Sequence, residues 1–471
     1  MGEKFYHVIV GGAGIVGSAI FRELTKYDIK VLLIEKENDV CSFGSTIANT
    51  GIIHGGYDPL PNSLKAVLNR EGNIIWKDLT KKLNIPSSFL GIIVLAFNED
   101  EEKLIYELKN RGDINKVPVE IVSRDEILKL EPNLRKDVKL GLLSLNGGTI
   151  DPFIATFNLI KNGFENGGEV SLGEKILEVY SEGKYLKVKS NKNSYLCEIF
   201  INSLGFFGRE FLNDKSTIYP RRGQYLIVDR QLENLVNRPI FGVPSDKGKG
   251  VAITKTVHGN ILLGPTSYKV DSYDLSSTKL EREEILEKVK NFIDFDFEPF
   301  IIRDYVGIRA SSKTKDFIIE FDKNILHVQG IDSPGLTSAP AIAIYIKDLI
   351  KKRINLVDKR NFKDFVEPIK KVKDLNKDEI DELIKKDKNF GEIVCRCEIV
   401  TKGEILQALK NFPKPTSIDG LKRRLRVTGG RCQGSYCLIK IIEILNKELD
   451  INFEKIYKGS EGSNIVYGEI E

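Results

Sequence analysis

The sequence predicts a protein that combines α/β and α+β architecture. It would have an N-terminal α/β domain on a parallel sheet, an antiparallel-sheet domain inserted into it, and a small helical C-terminal domain. Three observations lead to this prediction. A glycine-rich turn joins an apolar strand to a helix near the N-terminus, alternating strand patterns fill the middle, and four cysteines flank short amphipathic helices near the end.

Length and composition set the broad class. A chain of 471 residues is too long for one ordinary core, and 41% hydrophobic with 29% charged residues describes a globular protein. The net charge of +4 gives no reason to expect a nucleic-acid partner. No apolar run approaches the roughly 18–20 residues that span a membrane, and the first strand begins without a charged leader and cleavage site. We therefore expect a cytoplasmic protein without a transmembrane segment.

An apolar strand, a glycine-rich turn, a helix, a second strand and an acidic residue follow one another in residues 7–35. Gly12 permits the tight turn, Gly14 lets the backbone approach a pyrophosphate, and Gly17 lets the helix pack closely on the strand. The helix N-terminus offers N–H groups and positive charge to phosphates. Glu35 would accept hydrogen bonds from a ribose diol. The order of these parts predicts a dinucleotide site.

A loop of small polar residues follows, "GSTIANTGIIHGGYDP", where a nicotinamide-binding domain would continue with another strand and helix. Such a loop can approach a flat ring closely while it offers several short hydrogen-bonding groups. The loop therefore favours FAD over NAD. Its candidate contacts to the ring are Ser45, Thr46, Asn49, Thr50 and Gly51.

The chain has four histidines. His7 and His327 lie in predicted strands and His258 in a predicted turn, so a structural role is expected for each. His54 differs because it lies in the loop directed at the flavin. A loop histidine can be structural, but this position favours a catalytic role in which His54 takes or orients a substrate proton.

Five segments resemble the FAD-dependent glycine/D-amino-acid oxidase superfamily, and within it the branch of glycerol-3-phosphate and 2-hydroxy-acid dehydrogenases. They are spread over residues 8–344 and read "VGGAGIVGSAI", "GSTIANTGIIHGGYDP", "INSLGFFG", "VGIRASS" and "GIDSPGLTSAPAIA". "INSLG" departs from the family, which more often has alanines there. The resemblance implies a Rossmann-like FAD-binding domain of the glutathione-reductase type.

The resemblance also assigns further residues. N–H groups at the start of the helix after "GIDSP" would face the flavin N1–C2=O edge, where negative charge develops on reduction. Arg309 in "VGIRASS" would bind the substrate's anion or hydroxyl, although an arginine at a strand end can also form a surface ion pair. The additional FAD contacts implied are Lys36, Ile52, Ile176, Ser203, Gly205, Gly330, Gly335, Leu336 and Thr337.

The antiparallel sheet is predicted from "RRGQYLIVD" (221–229) and "GVAITKTVHGNILLGPTS" (250–267), which alternate like strands. We expect the FAD-dependent oxidoreductase to cover residues 1–355 and a linker to cover 356–387, with the cysteine-containing domain at 388–450 and a tail at 451–471. FAD-binding segments are expected at about 1–85, 146–215 and 305–355, and the substrate domain at about 86–145 and 216–304.

Four of the six cysteines lie in two segments near the end, "CRC" and "GGRCQGSYC". Four thiolates match the ligand count of a 2Fe–2S cluster and also of structural zinc, although a C-x-C arm is less typical of zinc. The four candidate ligands are Cys395, Cys397, Cys432 and Cys437, with Cys41 and Cys197 expected as buried packing residues. Unmetallated thiols are a third possibility.

The cysteine pattern resembles the ferredoxin-like domain of bacterioferritin-associated ferredoxin, in the version joined to the large subunit of anaerobic glycerol-3-phosphate dehydrogenases. This resemblance implies a 2Fe–2S cluster. The basic run "LKRRLR" (421–426) beside it has several interpretations. It can be the solvated face of a helix, an electrostatic offset for an anionic cluster, or a docking patch for an acidic partner.

Together these features suggest a flavin that takes two electrons from an alcohol and a cluster that passes them on singly. The favoured substrate is sn-glycerol 3-phosphate, with an electron-accepting partner subunit that can also bring the protein to a membrane surface. Alternatives are L-2-hydroxyglutarate, another 2-hydroxy acid or an amino acid as substrate, and a non-catalytic redox subunit. Candidates for phosphate binding, without a spacing argument, are Lys65, Arg222 and Lys269.

Overall fold

The computed structural model describes residues 3–244 and 250–468. Its α-helices are α1 (Ile15–Leu24), α2 (Leu64–Lys82), α3 (Glu99–Ile114), α4 (Arg124–Leu130), α5 (Pro152–Glu165), α6 (Lys279–Val289), α7 (Gly335–Lys351), α8 (Lys377–Lys386), α9 (Lys402–Lys410), α10 (Ile418–Leu425) and α11 (Leu438–Leu449).

The strands in the same residues are β1 (Lys4–Gly11), β2 (Val31–Ile34), β3 (Ile52–Ile53), β4 (Ser87–Ser88), β5 (Ile92–Ala96), β6 (Val119–Ser123), β7 (Leu140–Ser144), β8 (Gly148–Ile150), β9 (Glu169–Ser171), β10 (Ile176–Glu182), β11 (Tyr185–Ser190), β12 (Ser194–Asn202), β13 (Ile218–Val228), β14 (Ile240–Gly242), β15 (Ala252–Lys255), β16 (Ile261–Gly264), β17 (Tyr268–Lys269), β18 (Ile301–Ser312), β19 (Ile318–Asp322), β20 (Ile325–Gln329), β21 (Ile393–Cys395) and β22 (Val400–Thr401).

The first sheet forms the predicted N-terminal domain. Strands β9, β2, β1, β12 and β20 run parallel in that order, and the β10–β11 hairpin and β19 add antiparallel pairs at its edge. All four residues of β2 are buried because helices cover the sheet, as parallel sheets require. Helices α1, α2, α5 and α7 pack together in the core, with Phe21 and Trp76 fully buried. The predicted α/β fold is confirmed.

The second sheet is the predicted inserted domain. Eight of its strands follow the order β17-β13-β16-β15-β14-β5-β7-β6, and β18 pairs with β13. The β13–β18 pairing extends from Ile218 opposite Ser312 to Val228 opposite Ile301. The boundary predicted at about 305 therefore falls inside β18. This strand belongs to the second sheet along its whole length because its long antiparallel pairing holds it there.

The C-terminal domain has its own core, in which Ile405, Leu421 and Ile441 are buried. A capping box opens α9, as the spacing of Thr401 and Glu404 in the sequence indicates: the two residues exchange side-chain and backbone hydrogen bonds. Helix α10 ends at Arg426, which adopts the left-handed conformation (φ 68°) that closes the helix.

The segment between α7 and α8, predicted as a linker, is held on the first domain. The Arg22 guanidinium pairs with Asp364. Asn84 Nδ2 donates to the Val366 carbonyl at 2.7 Å, and the Val366 side chain is buried in the first core. Asn162 Nδ2 donates to two further carbonyls of the segment. The connection is therefore fixed along the surface of the N-terminal domain.

The basic run 421–426 anchors the C-terminal domain to the rest of the chain. Arg423 Nη2 and Arg424 Nη2 lie 2.9 and 2.7 Å from the Asp39 carboxylate, and all three residues are buried. The Arg424 guanidinium also lies over the Phe157 ring, 4.0 Å from its centroid. Of the interpretations left open for this run, the solvated face does not hold for these two arginines, because an acidic residue of the first domain binds them.

A second contact joins the C-terminal domain to the antiparallel sheet. Arg426 Nη2 donates to Asn260 Oδ1 at 2.7 Å, and Arg426 Nε lies 2.9 Å from the Glu398 carboxylate. Arg230 donates to the backbone carbonyl of Cys397 at 3.4 Å. The cysteine segments therefore lie against the edge of the second sheet.

Candidate functional site

A cavity of about 1050 Å³ is lined by residues of both large sheets. This is large enough for a dinucleotide, since sites for small molecules and cofactors commonly measure about 300–1,000 Å³. The residues that line it include most of those predicted to contact FAD or substrate: Gly12, Gly14, Gly17, Glu35, Lys36, Ser45, Thr46, Asn49, Thr50, Ile52, His54, Ile176, Ser203, Gly205, Arg309, Gly330, Gly335 and Leu336.

Two predicted FAD residues do not line the cavity. The backbone N–H of Gly51 donates to Asn49 Oδ1 at 2.7 Å, within the loop. The Thr337 hydroxyl accepts a hydrogen bond from the backbone N–H of His54 at 2.9 Å. Both residues shape the loop that presents His54, and neither faces the cavity.

The glycine-rich turn has the close contacts that its sequence predicts. A Cβ atom at Gly17 would lie 1.9 Å from the Gly12 carbonyl oxygen, so α1 can approach β1 only without a side chain there. The Glu35 carboxylate accepts hydrogen bonds from the backbone N–H groups of Ala13 at 2.8 Å and Glu37 at 3.0 Å. Burial raises the pKa of this carboxyl above its usual value. The turn and its acid thus meet at one end of the cavity.

The helices at the predicted cofactor sites differ from the other helices in their N-cap residues. Of the eleven α-helices in residues 3–244 and 250–468, eight begin with a side chain that accepts from a first-turn N–H. The N-cap residues of the other three helices provide no such side chain: Gly14 of α1, Pro334 of α7 and Cys437 of α11. In α1 the Thr46 hydroxyl, from the loop after β2, accepts from the Ile15 N–H at 3.0 Å instead. Helix N-termini carry partial positive charge and attract anions. These three lie where the pyrophosphate, the flavin carbonyl edge and the cluster are predicted to bind.

His54 follows β3 and is held by two helices. Its carbonyl oxygen accepts from Asn73 Nδ2 of α2 at 3.0 Å, while its N–H is bound by α7, as described above. Its ring nitrogen Nε2 lies 3.2 Å from the hydroxyl oxygen of Ser333. Ser333 also lines the cavity and was not among the residues predicted from the sequence. The pair places a proton acceptor and a hydroxyl together at the cavity wall.

Arg309 reaches the cavity from β18. Its Nη2 donates to the Thr266 carbonyl at 3.3 Å and to the Ser267 hydroxyl at 3.2 Å. Its Nε is buried without a hydrogen-bond partner in the described structure, which is costly for a charged donor. Arg221 is the cross-strand neighbour of Arg309 and lines the same cavity. This wall is therefore suited to an anion.

The three phosphate-binding candidates from the sequence are in different positions. Arg222 points away from the cavity, because side chains alternate along a strand, and its Nε lies 2.8 Å from the Glu281 carboxylate in a buried pair. Lys269 lies on the short strand β17 and does not line the cavity. Lys65 does line it, with Nζ 2.6 Å from Asp332.

The four cysteines near the C-terminus come together from the two segments. The sulfur atoms of Cys397 and Cys432 are 3.5 Å apart, and the Cys437 thiol lies close enough to Cys395 and Cys432 to interact with both electrostatically. Four thiols brought together in this way fit the ligand set of a 2Fe–2S cluster.

The surrounding backbone also fits a sulfur-ligated centre. Burial raises the pKa of the Cys432 thiol. Hydrogen bonds from the N–H groups of residues 434–436 lower the pKa by more than burial raises it, so that the net shift is downward. A Cβ atom at Gly430 would lie 2.4 Å from the Cys397 Cβ, so the segments meet closely only with glycine there. Cys41 and Cys197 are free and buried, as predicted.

The glycine-rich turn, the cavity and the clustered thiols suit an oxidoreductase with a dinucleotide flavin and an iron–sulfur centre. The family described as FAD dependent oxidoreductase (DAO) matches residues 7–349, and the family described as BFD-like [2Fe-2S] binding domain matches residues 393–447. The chain therefore belongs to the DAO family of FAD-dependent oxidoreductases and carries a BFD-like 2Fe–2S domain.

Relatives with named activities cover most of the chain. It is 39% identical to glycerol 3-phosphate dehydrogenase of Caloramator mitchellensis over 98% of each chain. It is 33% identical to glycerol 3-phosphate oxidase of Mycoplasma genitalium over 74% of this chain and 96% of that one. The structure of dithionite-reduced L-α-glycerophosphate oxidase from Mycoplasma pneumoniae with FAD bound matches with a TM-score of 0.72 and 28% identity, over 77% and 98% of the two chains.

We expect the variant Cys432→Ala to lose the iron and sulfide of the C-terminal domain while it keeps its FAD. One thiol of a pair is then missing, whereas the flavin cavity has no cysteine in its lining. Iron, acid-labile sulfide and FAD are measured per chain after anaerobic purification. Cys197→Ala, at a buried cysteine far along the chain from both segments, is the control and should retain all three. Iron retained in Cys432→Ala, or zinc in the parent protein, would contradict the cluster assignment.

Proposed function

We propose that the protein oxidises sn-glycerol 3-phosphate to dihydroxyacetone phosphate. The observation that carries the proposal is the Arg309 guanidinium, whose buried Nε lacks a hydrogen-bond partner at a cavity wall that also holds His54 and Ser333. Two relatives that are 39% and 33% identical, over 98% and 74% of this chain, are named for this substrate. When bound in the cavity, FAD supplies the hydride acceptor.

The proposal assigns the proton to His54. Oxidation of a secondary alcohol breaks the C2–H bond, whose hydrogen leaves as a hydride, and the O–H bond, whose hydrogen leaves as a proton. His54 Nε2 would take that proton, and the Ser333 hydroxyl, 3.2 Å away, would orient the imidazole or the substrate oxygen. The backbone of His54, bound at both its N–H and its carbonyl, keeps the ring in position.

The proposal assigns the phosphate to the arginine wall. A guanidinium can form paired hydrogen bonds to phosphate oxygens, and two neighbouring arginines can share a dianion. Arg309 and its cross-strand neighbour Arg221 supply these groups. A 2-hydroxy acid would present a carboxylate to the same wall, so the substrate must be tested by comparison.

Electrons would leave through the C-terminal domain to a protein partner, and then to quinone or another carrier. The cysteine segments contact the second sheet at one side, through Arg230 and the Cys397 carbonyl. No helix in residues 3–244 or 250–468 has the length and hydropathy needed to cross a bilayer. We place the protein in the cytoplasm, with any membrane contact made through the partner.

We expect glycerol 3-phosphate to bleach the flavin anaerobically, and Arg309→Met to lower kcat/KM by about 10²-fold, because a hydrogen bond to a charged group contributes roughly 1.5–3 kcal/mol. Stopped-flow absorbance measures the bleaching, with L-2-hydroxyglutarate and glycerol as comparison substrates. Lys103→Met is the control, since Lys103 is basic, is exposed on α3 and lies outside the cavity lining. Faster bleaching by L-2-hydroxyglutarate, or equal losses in both variants, would reject this assignment.

A further inference from the structure

The surface around the paired cysteines exposes large apolar side chains. Tyr436 and Ile439 are 79% and 72% exposed, and Ile399 is 43% exposed. Two arginines in the same segments, Arg396 and Arg431, are also exposed. We call these five residues the cluster face. Large side chains exposed together on a surface often mark an interaction site.

These residues belong to one region because contacts join the two segments that carry them. The Cys397 and Cys432 sulfur atoms are 3.5 Å apart. Lys440 Nζ, in the first turn of α11, lies 2.7 Å from the carboxylate of Glu392, just before β21. Each residue of the cluster face lies within four positions along the chain of a residue that makes one of these two contacts. The cluster face therefore lies close to the thiols through which electrons would pass.

The charge of the cluster face has one sign. Residues 393–401 and 429–440 contain a single acidic residue, Glu398. Glu398 is buried and paired with Arg426, so it does not reach the surface. The cluster face thus presents arginines and apolar groups, which favours an acidic partner. The exposed carboxylates at its border are Glu392, which is paired with Lys440, and Glu443, one turn along α11 from Ile439.

The opposite side of the cysteine segments is already occupied. Arg230 of the second sheet domain donates to the Cys397 carbonyl, and Asp229 lies 3.8 Å from Arg431 at the border of the cluster face. Arg431 nevertheless keeps 69% of its side chain exposed. Electrons from the flavin domain would arrive on the occupied side, so the exposed side is the one from which another protein can receive them.

We propose that the cluster face docks an acidic protein that carries one electron at a time. This inference rests on the proposed function, because that reaction supplies the electrons. Each substrate oxidised yields two electrons and two protons, so two carrier molecules in their oxidised form are each reduced by one electron while the protons pass to solvent. Tyr436 and Ile439 supply apolar contact area, and the arginines supply orientation and association rate.

The test compares two carriers of opposite charge: the water-soluble domain of cytochrome b5, which is acidic, and cytochrome c, which is basic. Binding to the complete, cofactor-loaded protein is measured by calorimetry as a function of salt, and their reduction by glycerol 3-phosphate is followed by haem absorbance. We expect binding of the acidic carrier that weakens with salt. Arg396→Glu and the double variant Tyr436→Ser, Ile439→Ser should each weaken it by at least about tenfold.

Leu280→Ser is the matched control, since Leu280 is 79% exposed on α6, in another domain, and should leave binding unchanged. All variants should reduce a small dye at the parent rate. If the parent protein itself does not reduce the dye with glycerol 3-phosphate, the proposed function is rejected, and not the docking proposal. Equal binding of both carriers, or no effect of the cluster-face variants, would overturn the docking proposal. So would a parent protein that is a dimer in solution and becomes a monomer in the double variant, because a second copy would then cover the face.

Discussion

His54→Gln lowers the rate of flavin reduction by glycerol 3-phosphate by about 10²–10⁴-fold, the range expected when a positioned proton acceptor is lost. A glutamine amide can hydrogen-bond the substrate oxygen but cannot accept its proton at neutral pH. FAD binding should persist, because the backbone of residue 54, bound by Thr337 and Asn73, keeps its contacts whatever the side chain. The variant therefore separates proton transfer from cofactor retention.

Anaerobic stopped-flow absorbance measures this rate, and the FAD content per chain verifies that the site is loaded. His7→Gln is the control, because His7 lies in β1 outside the cavity lining and should react at the parent rate. Ser333→Ala should give an intermediate loss, since it removes a partner of the ring and leaves the acceptor in place. A His54→Gln enzyme with more than a tenth of the parent rate would contradict the assignment.

Asp39→Asn destabilises the docked C-terminal domain by about 3–5 kcal/mol, the usual cost of removing one partner of a buried ion pair. The carboxylate, 3% exposed, binds both Arg423 and Arg424. Its loss leaves two buried guanidinium groups facing each other without an anion. The Pro413 and Gly420 carbonyl oxygens that accept from Arg424 offset only part of that charge.

Chemical denaturation followed by the cluster's visible absorbance measures this loss, with limited proteolysis to report detachment of the domain. Asp419→Asn is the control: it removes a carboxylate of the same domain that pairs with Lys458 at the surface, for which about 0–1 kcal/mol is expected. If both variants unfold at the same denaturant concentration, the Asp39 contact does not hold the domain.

Features that depend on neighbours in the chain could be predicted closely. Strand β2 ends directly before Glu35, in the predicted order of parts, and the capping box of α9 follows from the spacing of Thr401 and Glu404, because both interactions lie within one turn. The glycine-rich turn and Glu35 come together as expected because a strand and a helix of fixed geometry separate them. The DAO and BFD-like assignments are confirmed for the same reason, since their motifs are local.

Features that depend on distant partners could not be predicted. The burial of Arg423 depends on Asp39, 384 positions away along the chain, and nothing near the basic run indicates that partner. Ser333 was missed for a related reason. The sequence places it just before an N-terminus assigned to the flavin, but the path of the loop decides which hydroxyl meets His54. Which residues make the cofactor contacts stays a prediction until FAD is bound.

The linker bound along the first domain has a consequence for the timing of the proposed relay. A cluster domain on a mobile linker would have to move between the electron donor and the electron acceptor, and the rate of electron transfer would then fall in viscous solvent. Here the connecting segment is bound along the first domain. The C-terminal domain contacts the first domain at Asp39 and the antiparallel-sheet domain at Asn260. The separation between electron donor and acceptor is thereby constant, so tunnelling within the chain should follow driving force and be indifferent to glycerol or sucrose in the buffer.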